Sequence, residues 1–120
     1  MAEVSNLIFA VLEKINFKDL KELYLSKNKI SNIKVLEKVK FDKLEILNLY
    51  DNNISNIDII EKVNFKELKI LSLKKNEISD IKVLEKVKFD KLKLLDLSNN
   101  KIDLKQNNVI ISKMKSILKI

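Results

Sequence analysis

A chain of 120 residues is long enough for one domain with a modest core. It contains no Cys and no His, which removes disulfides, thiolate chemistry, the commonest general base and the commonest metal ligand. Its 24 basic residues are all Lys, set against 17 acids for a net charge of +7, with no run of five like charges. Without an Arg fork or an aromatic platform for bases, that excess argues against nucleic acid and for solubility.

In chain order, residues 4–15 are predicted to form a helix capped by Ser5 that covers the first strand. The apolar stretch from Leu7 to Val11 is too short for a secretory signal and follows the acidic Glu3. No apolar run is long enough to cross a bilayer, so no membrane contact and a soluble, cytoplasmic location are expected. From residue 11 onward a 24-residue period takes over: Val11–Phe17 returns as Val35–Phe41, Ile59–Phe65 and Val83–Phe89. Each copy leads into a second phrase, Leu20-x-x-Leu23-x-Leu25-x-x-Asn28-x-Ile30, which recurs over 44–54, 68–78 and 92–102.

Within each phrase the two central leucines alternate with outward residues, Leu23 and Leu25 with Glu22 and Tyr24 in the first. That is the pattern of a short strand with one buried face. Ile33, Leu36 and Val39 give an apolar stripe at spacings of three, read as a helix on the opposite side. Ser31 or Asn32, Ser55 or Asn56, and Ser79 or Asp80 are the candidate caps. One such unit cannot enclose a core, but stacked copies can. Asn28, Asn52, Asn76 and Asn100 stand where the chain leaves each strand, where an amide can satisfy backbone groups of its own coil and the next. Phe17, Phe41, Phe65 and Phe89 are predicted to stack as an aromatic spine. After Ile102 the period fails. Ile110, Met114, Ile117 and Leu118 follow helical spacing, so a terminal helix over about 107–117 is expected to lid the core.

The phrase L-x-x-L-x-L-x-x-N-x-I resembles the leucine-rich-repeat signature. The Ile-Ser-Asn-Ile and Ile-Ser-Asp-Ile links are similar to short repeats of the phosphatase-regulator type. The resemblance implies an α/β solenoid with a short parallel sheet on the concave face, helices on the convex face and helical caps at both ends. Residues 1–120 then form a single domain, with an N-terminal cap at about 4–15 and a C-terminal cap at 103–120.

Catalysis has little to work with. Ser26, Ser72 and Ser98 lack a candidate base, and Asp51 and Asp96 would sit roughly 9–10 Å apart on an open surface. The chain is therefore expected not to be an enzyme, with no cofactor and no metal. Four outward columns remain. The first is Glu22, Ile46, Ile70 and Leu94, and the second is Tyr24, Asn48, Ser72 and Asp96. The third is Ser26, Tyr50, Lys74 and Ser98, and the fourth is Lys27, Asp51, Lys75 and Asn99. An apolar ladder of Ile46, Ile70 and Leu94 beside Tyr24 and Tyr50 fits a contact surface for a protein partner. Four strands give a face only ~20 Å wide, less than a standard interface needs. The alternative is a structural subunit of a larger assembly, or a solenoid that associates with itself.

Overall fold

Alternation of buried leucines with outward residues yields one three-residue strand per repeat. The computed structural model describes residues 2–120, the side chains of residues 2–6 and 9 excepted. Strands β1 (Glu22–Tyr24), β2 (Ile46–Asn48), β3 (Ile70–Ser72) and β4 (Leu94–Asp96) are joined by a two-residue β5 (Leu118–Lys119). All five lie side by side in sequence order and every neighbouring pair is parallel. The constant repeat length holds the first four strands in register, so that Leu23, Leu47, Leu71 and Leu95 form one inward row.

Opposite the sheet the expected helices are single 3-10 turns: η1 (Lys34–Glu37), η2 (Asp58–Glu61) and η3 (Lys82–Lys86). The apolar spacing of three is the period of a 3-10 helix, and bonds such as Leu36 N to Ile33 O (3.1 Å) and Ile60 N to Ile57 O (3.1 Å) have that same span. The candidate caps divide accordingly. Asn32, Asn56 and Asp80 each accept the backbone N–H two positions on, at 2.9–3.0 Å, while Ile33, Ile57 and Ile81 occupy the cap position itself. Each side chain thus fixes the turn that opens the 3-10 segment.

Both ends differ from the sequence expectation. Helix α1 runs Ala2–Lys14, so Ser5 stands inside it rather than at its start; the side chain of Ser5 lies outside the described residues. Leu12 is buried, and α1 packs against η1. At the other end α2 is only Asn108–Lys113, and the chain then turns to make β5 instead of continuing to Ile117. The open edge of β4 is the reason: Leu95 N donates to Ile117 O at 2.8 Å and Leu97 N to Lys119 O at 2.7 Å. Leu118 therefore belongs to a fifth strand and not to a helical stripe. A full repeat step from Leu95 would land on Lys119, but the strand pairing falls one position short, on Leu118.

Three features tie the layers together. Phe41 is 1% exposed, its ring 6.2 Å from Phe17 and 5.9 Å from Phe65. Phe89 is only half-buried, and among the described residues its ring meets no other aromatic ring, so the expected spine stops at Phe65. The Asn column forms a ladder between coils. Nδ2 of Asn52 donates to Leu25 O and Leu49 O, both at 3.0 Å, and its Oδ1 accepts from Asn28 N and Ile30 N. Asn76 and Asn100 repeat the pattern one and two coils further on. The third feature is backbone shape. Lys27, Asp51, Lys75 and Asn99 all have φ between 56° and 59°, in the left-handed region.

Left-handed backbone suits Asn and Asp better than Lys, whose side chain gains no local hydrogen bond there. Lys27→Asn should therefore raise stability by ~0.5–1 kcal/mol. Urea unfolding measures this, and an unchanged or lower midpoint would contradict the role given to that position.

Candidate partner-binding face

Strand register decides which outward residues meet. Glu22, Ile46, Ile70 and Leu94 are paired in one row, and Tyr24, Asn48, Ser72 and Asp96 in the next, with Lys119 extending the second row from β5. Because side chains alternate across a strand, both rows stand on the side away from the leucine core. Ile46 and Ile70 are half-buried within the row, and Leu94 is 36% exposed. Tyr24 is 56% exposed, whereas Tyr50 is half-buried. The apolar ladder is therefore continuous but partly sunk between its neighbours.

Several predicted contact residues also serve the fold. Oδ1 of Asn48 accepts from Tyr50 N at 2.9 Å and from Ser26 Oγ at 3.2 Å. Asp96 has a matching role two coils on, accepting from Ser98 N at 3.0 Å and Ser98 Oγ at 2.6 Å. These two residues close the turn at the end of their strands, a role the alternation pattern does not reveal. The fourth column (Lys27, Asp51, Lys75, Asn99) carries the left-handed turn, and Lys75 Nζ also lies 3.6 Å from Asp51. Lys74 Nζ sits 6.0 Å from the centre of the Tyr50 ring, within cation–π range. Of the predicted set, Glu22 and Tyr24 bond each other and Lys74 faces the Tyr50 ring, while Ile46, Ile70, Ser72 and Leu94 have no side-chain hydrogen bond or ion pair among the described residues. Sequence reasoning missed Lys119, whose position on this face depends on β5.

Two polar interactions shape the rims. Tyr24 Oη donates to Glu22 Oε1 at 2.8 Å, and that acceptor holds the phenol above its ordinary value of 10.0. Lys69 Nζ donates to Glu45 Oε1 at 2.6 Å. Hydrogen bonding to Lys69 lowers the Glu45 carboxyl, and the same contact raises Lys69. A lowered carboxyl contributes stability that is present above its ordinary 4.5 and lost as pH falls through the lower folded value; the raised Lys69 loses its contribution only as pH rises past 10.5. Acid titration of the urea midpoint below pH 4.5 should thus be steeper for the native chain than for Glu45→Gln. Parallel acid limbs would show that the pair contributes nothing.

The convex side holds an open groove of about 610 Å³ between η1 and η2, lined by Asn32, Lys34, Glu37, Asp58, Glu61 and Lys62. Its charges are of both signs, and Ile33 and Ile59 also line it. Among the described residues no three acidic side chains converge as a metal cluster would require, and no helix is long and apolar enough to cross a membrane.

A parallel sheet built one strand per coil, with an Asn ladder bonding successive coils, defines a repeat solenoid. Residues 18–62 match the family of leucine-rich repeats in its two-copy form, and residues 91–114 match the leucine-rich repeat again. The chain is a leucine-rich-repeat protein. Among solved structures it is similar to an internalin from Listeria monocytogenes, with a TM-score of 0.64 and 28% sequence identity over 88% of this chain. The chain spans 29% of that internalin's length. A search of curated proteins gave no match. Neither family match distinguishes the phosphatase-regulator type from other leucine-rich repeats.

Proposed function

We propose that this chain is a protein-binding module that engages a protein partner through its strand face and performs no catalytic step. Leucine-rich-repeat domains generally mediate protein–protein interaction, and solenoids use their extended concave surfaces for it. The observation that carries the reading here is the in-register apolar row Ile46, Ile70 and Leu94, flanked by Tyr24 and partly open to solvent. An apolar strip with polar borders gains from being covered. Tyr adds a large, amphipathic contact at low entropic cost.

Replacing Ile46, Ile70 and Leu94 together by Ser removes the strip while leaving the inward leucines in place. Capture of partner protein from native lysate should fall at least tenfold, a loss of ~1.4 kcal/mol or more. Circular dichroism checks that the variant remains folded. Undiminished capture by a folded variant would refute the strand face as the site.

A second reading, a solenoid that self-associates or builds a larger assembly, draws on a different observation. Leu7, Val11 and Ile15 are exposed at successive steps of four along and just past α1. Sedimentation across a wide concentration range tests it, and a constant mass of 14.0 kDa would count against self-association.

A further inference from the structure

Charges along the rim where the strands begin alternate from coil to coil. One column reads Asp19, Lys43, Glu67 and Lys91, and its neighbour reads Lys21, Glu45, Lys69 and Lys93. Ion pairs span the coils within these columns: Lys43–Asp19 at 3.0 Å, Lys69–Glu45 at 2.6 Å and Lys91–Glu67 at 2.7 Å. Continued alternation would put an acid at position 93, where the chain has Lys. The acids nearest in both columns, Glu45 and Glu67, are already paired, and among the described residues Lys93 has no acid within ion-pair distance.

The surplus extends beyond one residue. Residues 91–120 hold seven Lys against two acids, whereas residues 1–90 hold seventeen against fifteen. Lys119 brings a second cation to this end of the strand face, opposite Asp96 on β4. Leu94 follows Lys93 directly and is the most exposed residue of the apolar row, with Ile70 beside it. Cationic and apolar surface are therefore adjacent at the C-terminal third of the face.

We infer that this third of the face takes an extended protein segment that sets a carboxylate against Lys93 and seats an apolar side chain on Leu94 and Ile70. The inference rests on the strand-face reading above and names the chemistry of the partner. Side chains two apart on an extended segment share a face at ~7 Å, and the flexible Lys stem brings its charge to a carboxylate at that separation. The segment required thus carries an acid two positions from an aliphatic.

The probe is an acetylated, amidated nonapeptide, Leu-Ser-Glu-Ser-Leu-Ser-Glu-Ser-Leu, titrated into the isotopically labelled chain with amide shifts recorded. Two control peptides carry Lys for each Glu or Ser for each Leu. Shifts should gather on Ile70, Lys93, Leu94 and Lys119, with the Lys peptide binding about fivefold more weakly, the scale of an exposed ion pair. Lys93→Glu should reverse the order of those two peptides. Equal binding of the Glu and Lys peptides on the strand face would overturn the inference while leaving the strand-face reading intact. Equal binding of the all-Ser acidic peptide would overturn it in favour of a general anion surface. Shifts elsewhere, or none, would overturn it as well; the strand-face reading itself stands or falls on the triple Ser variant.

Discussion

Asn76→Ala is expected to destabilise the chain by ~3–5 kcal/mol, a large part of the whole stability of a domain of this size. Asn76 is 7% exposed, and its Nδ2 donates to Leu49 O and Leu73 O at 3.0 Å while Oδ1 accepts from Ile54 N at 3.0 Å. Ala leaves the Ile54 N–H unsatisfied, at ~1–3 kcal/mol, and removes one of two amide donors from Leu49 O and Leu73 O, which keep Asn52 and Asn100, at ~0.5–1.5 kcal/mol for each lost bond. Two of these three bonds, those with Ile54 and Leu49, join the second coil to the third, so the damage falls on the contact between coils that a solenoid depends on. Asn53 is the control, since its side chain is exposed; its replacement by Ala should change stability by less than ~0.5 kcal/mol. Urea unfolding of both variants decides the matter. Similar small losses would mean that the ladder is decoration.

Phe41→Ala should cost a comparable ~3–5 kcal/mol, for a different reason. Its ring is enclosed between Phe17 and Phe65, so truncation removes contacts on both sides and leaves a cavity between coils. Phe89 occupies the same repeat position but is half-buried, and Phe89→Ala should cost ~1–2 kcal/mol, less than half as much. Equal losses at the two positions would contradict the account of the spine, because Phe41 is buried and flanked by a ring on each side whereas Phe89 is half-buried and flanked by none.

The parts of this fold that were legible in the sequence are those that repeat. The row Glu22, Ile46, Ile70 and Leu94 emerges in register as spacing predicts, because every coil from β1 to β4 has the same length. The Asn ladder is equally direct, since a side chain that must bond two coils recurs wherever coils meet. What escaped has physical causes. β5 sets Leu118 against Leu95, one position before a full repeat, so no template of the repeat length finds it; the unpaired edge of β4 creates it. The convex segments are confined between the turn at Asn32 and the return at Phe41, and their apolar spacing of three, read as a helical stripe, is the period of a 3-10 turn. The left-handed turns at Lys27 and Lys75 carried no signal, because the chain uses Lys where Gly or Asn would have announced them.

The candidate face was legible as a set of columns and not as a set of roles. Alternation assigns Asn48 and Asp96 outward, as found, but cannot show that each bonds its own turn two positions on. Lys119 joins the face only through β5, and the rim ion pairs depend on which side chains of successive coils converge. The strand face is therefore narrower in freedom than its columns suggest and richer in cations at one end.

Side-by-side capture with two variants tests the central claim most directly. One variant carries Ser at Ile46, Ile70 and Leu94 on the strand face; the other carries Ser at Lys38, Lys62 and Lys86, exposed on the convex side. Partner recovered per mole of folded chain should fall at least tenfold for the first and stay within about twofold of the native chain for the second. Loss confined to the convex variant would place the binding surface on the wrong side of the solenoid and contradict the account.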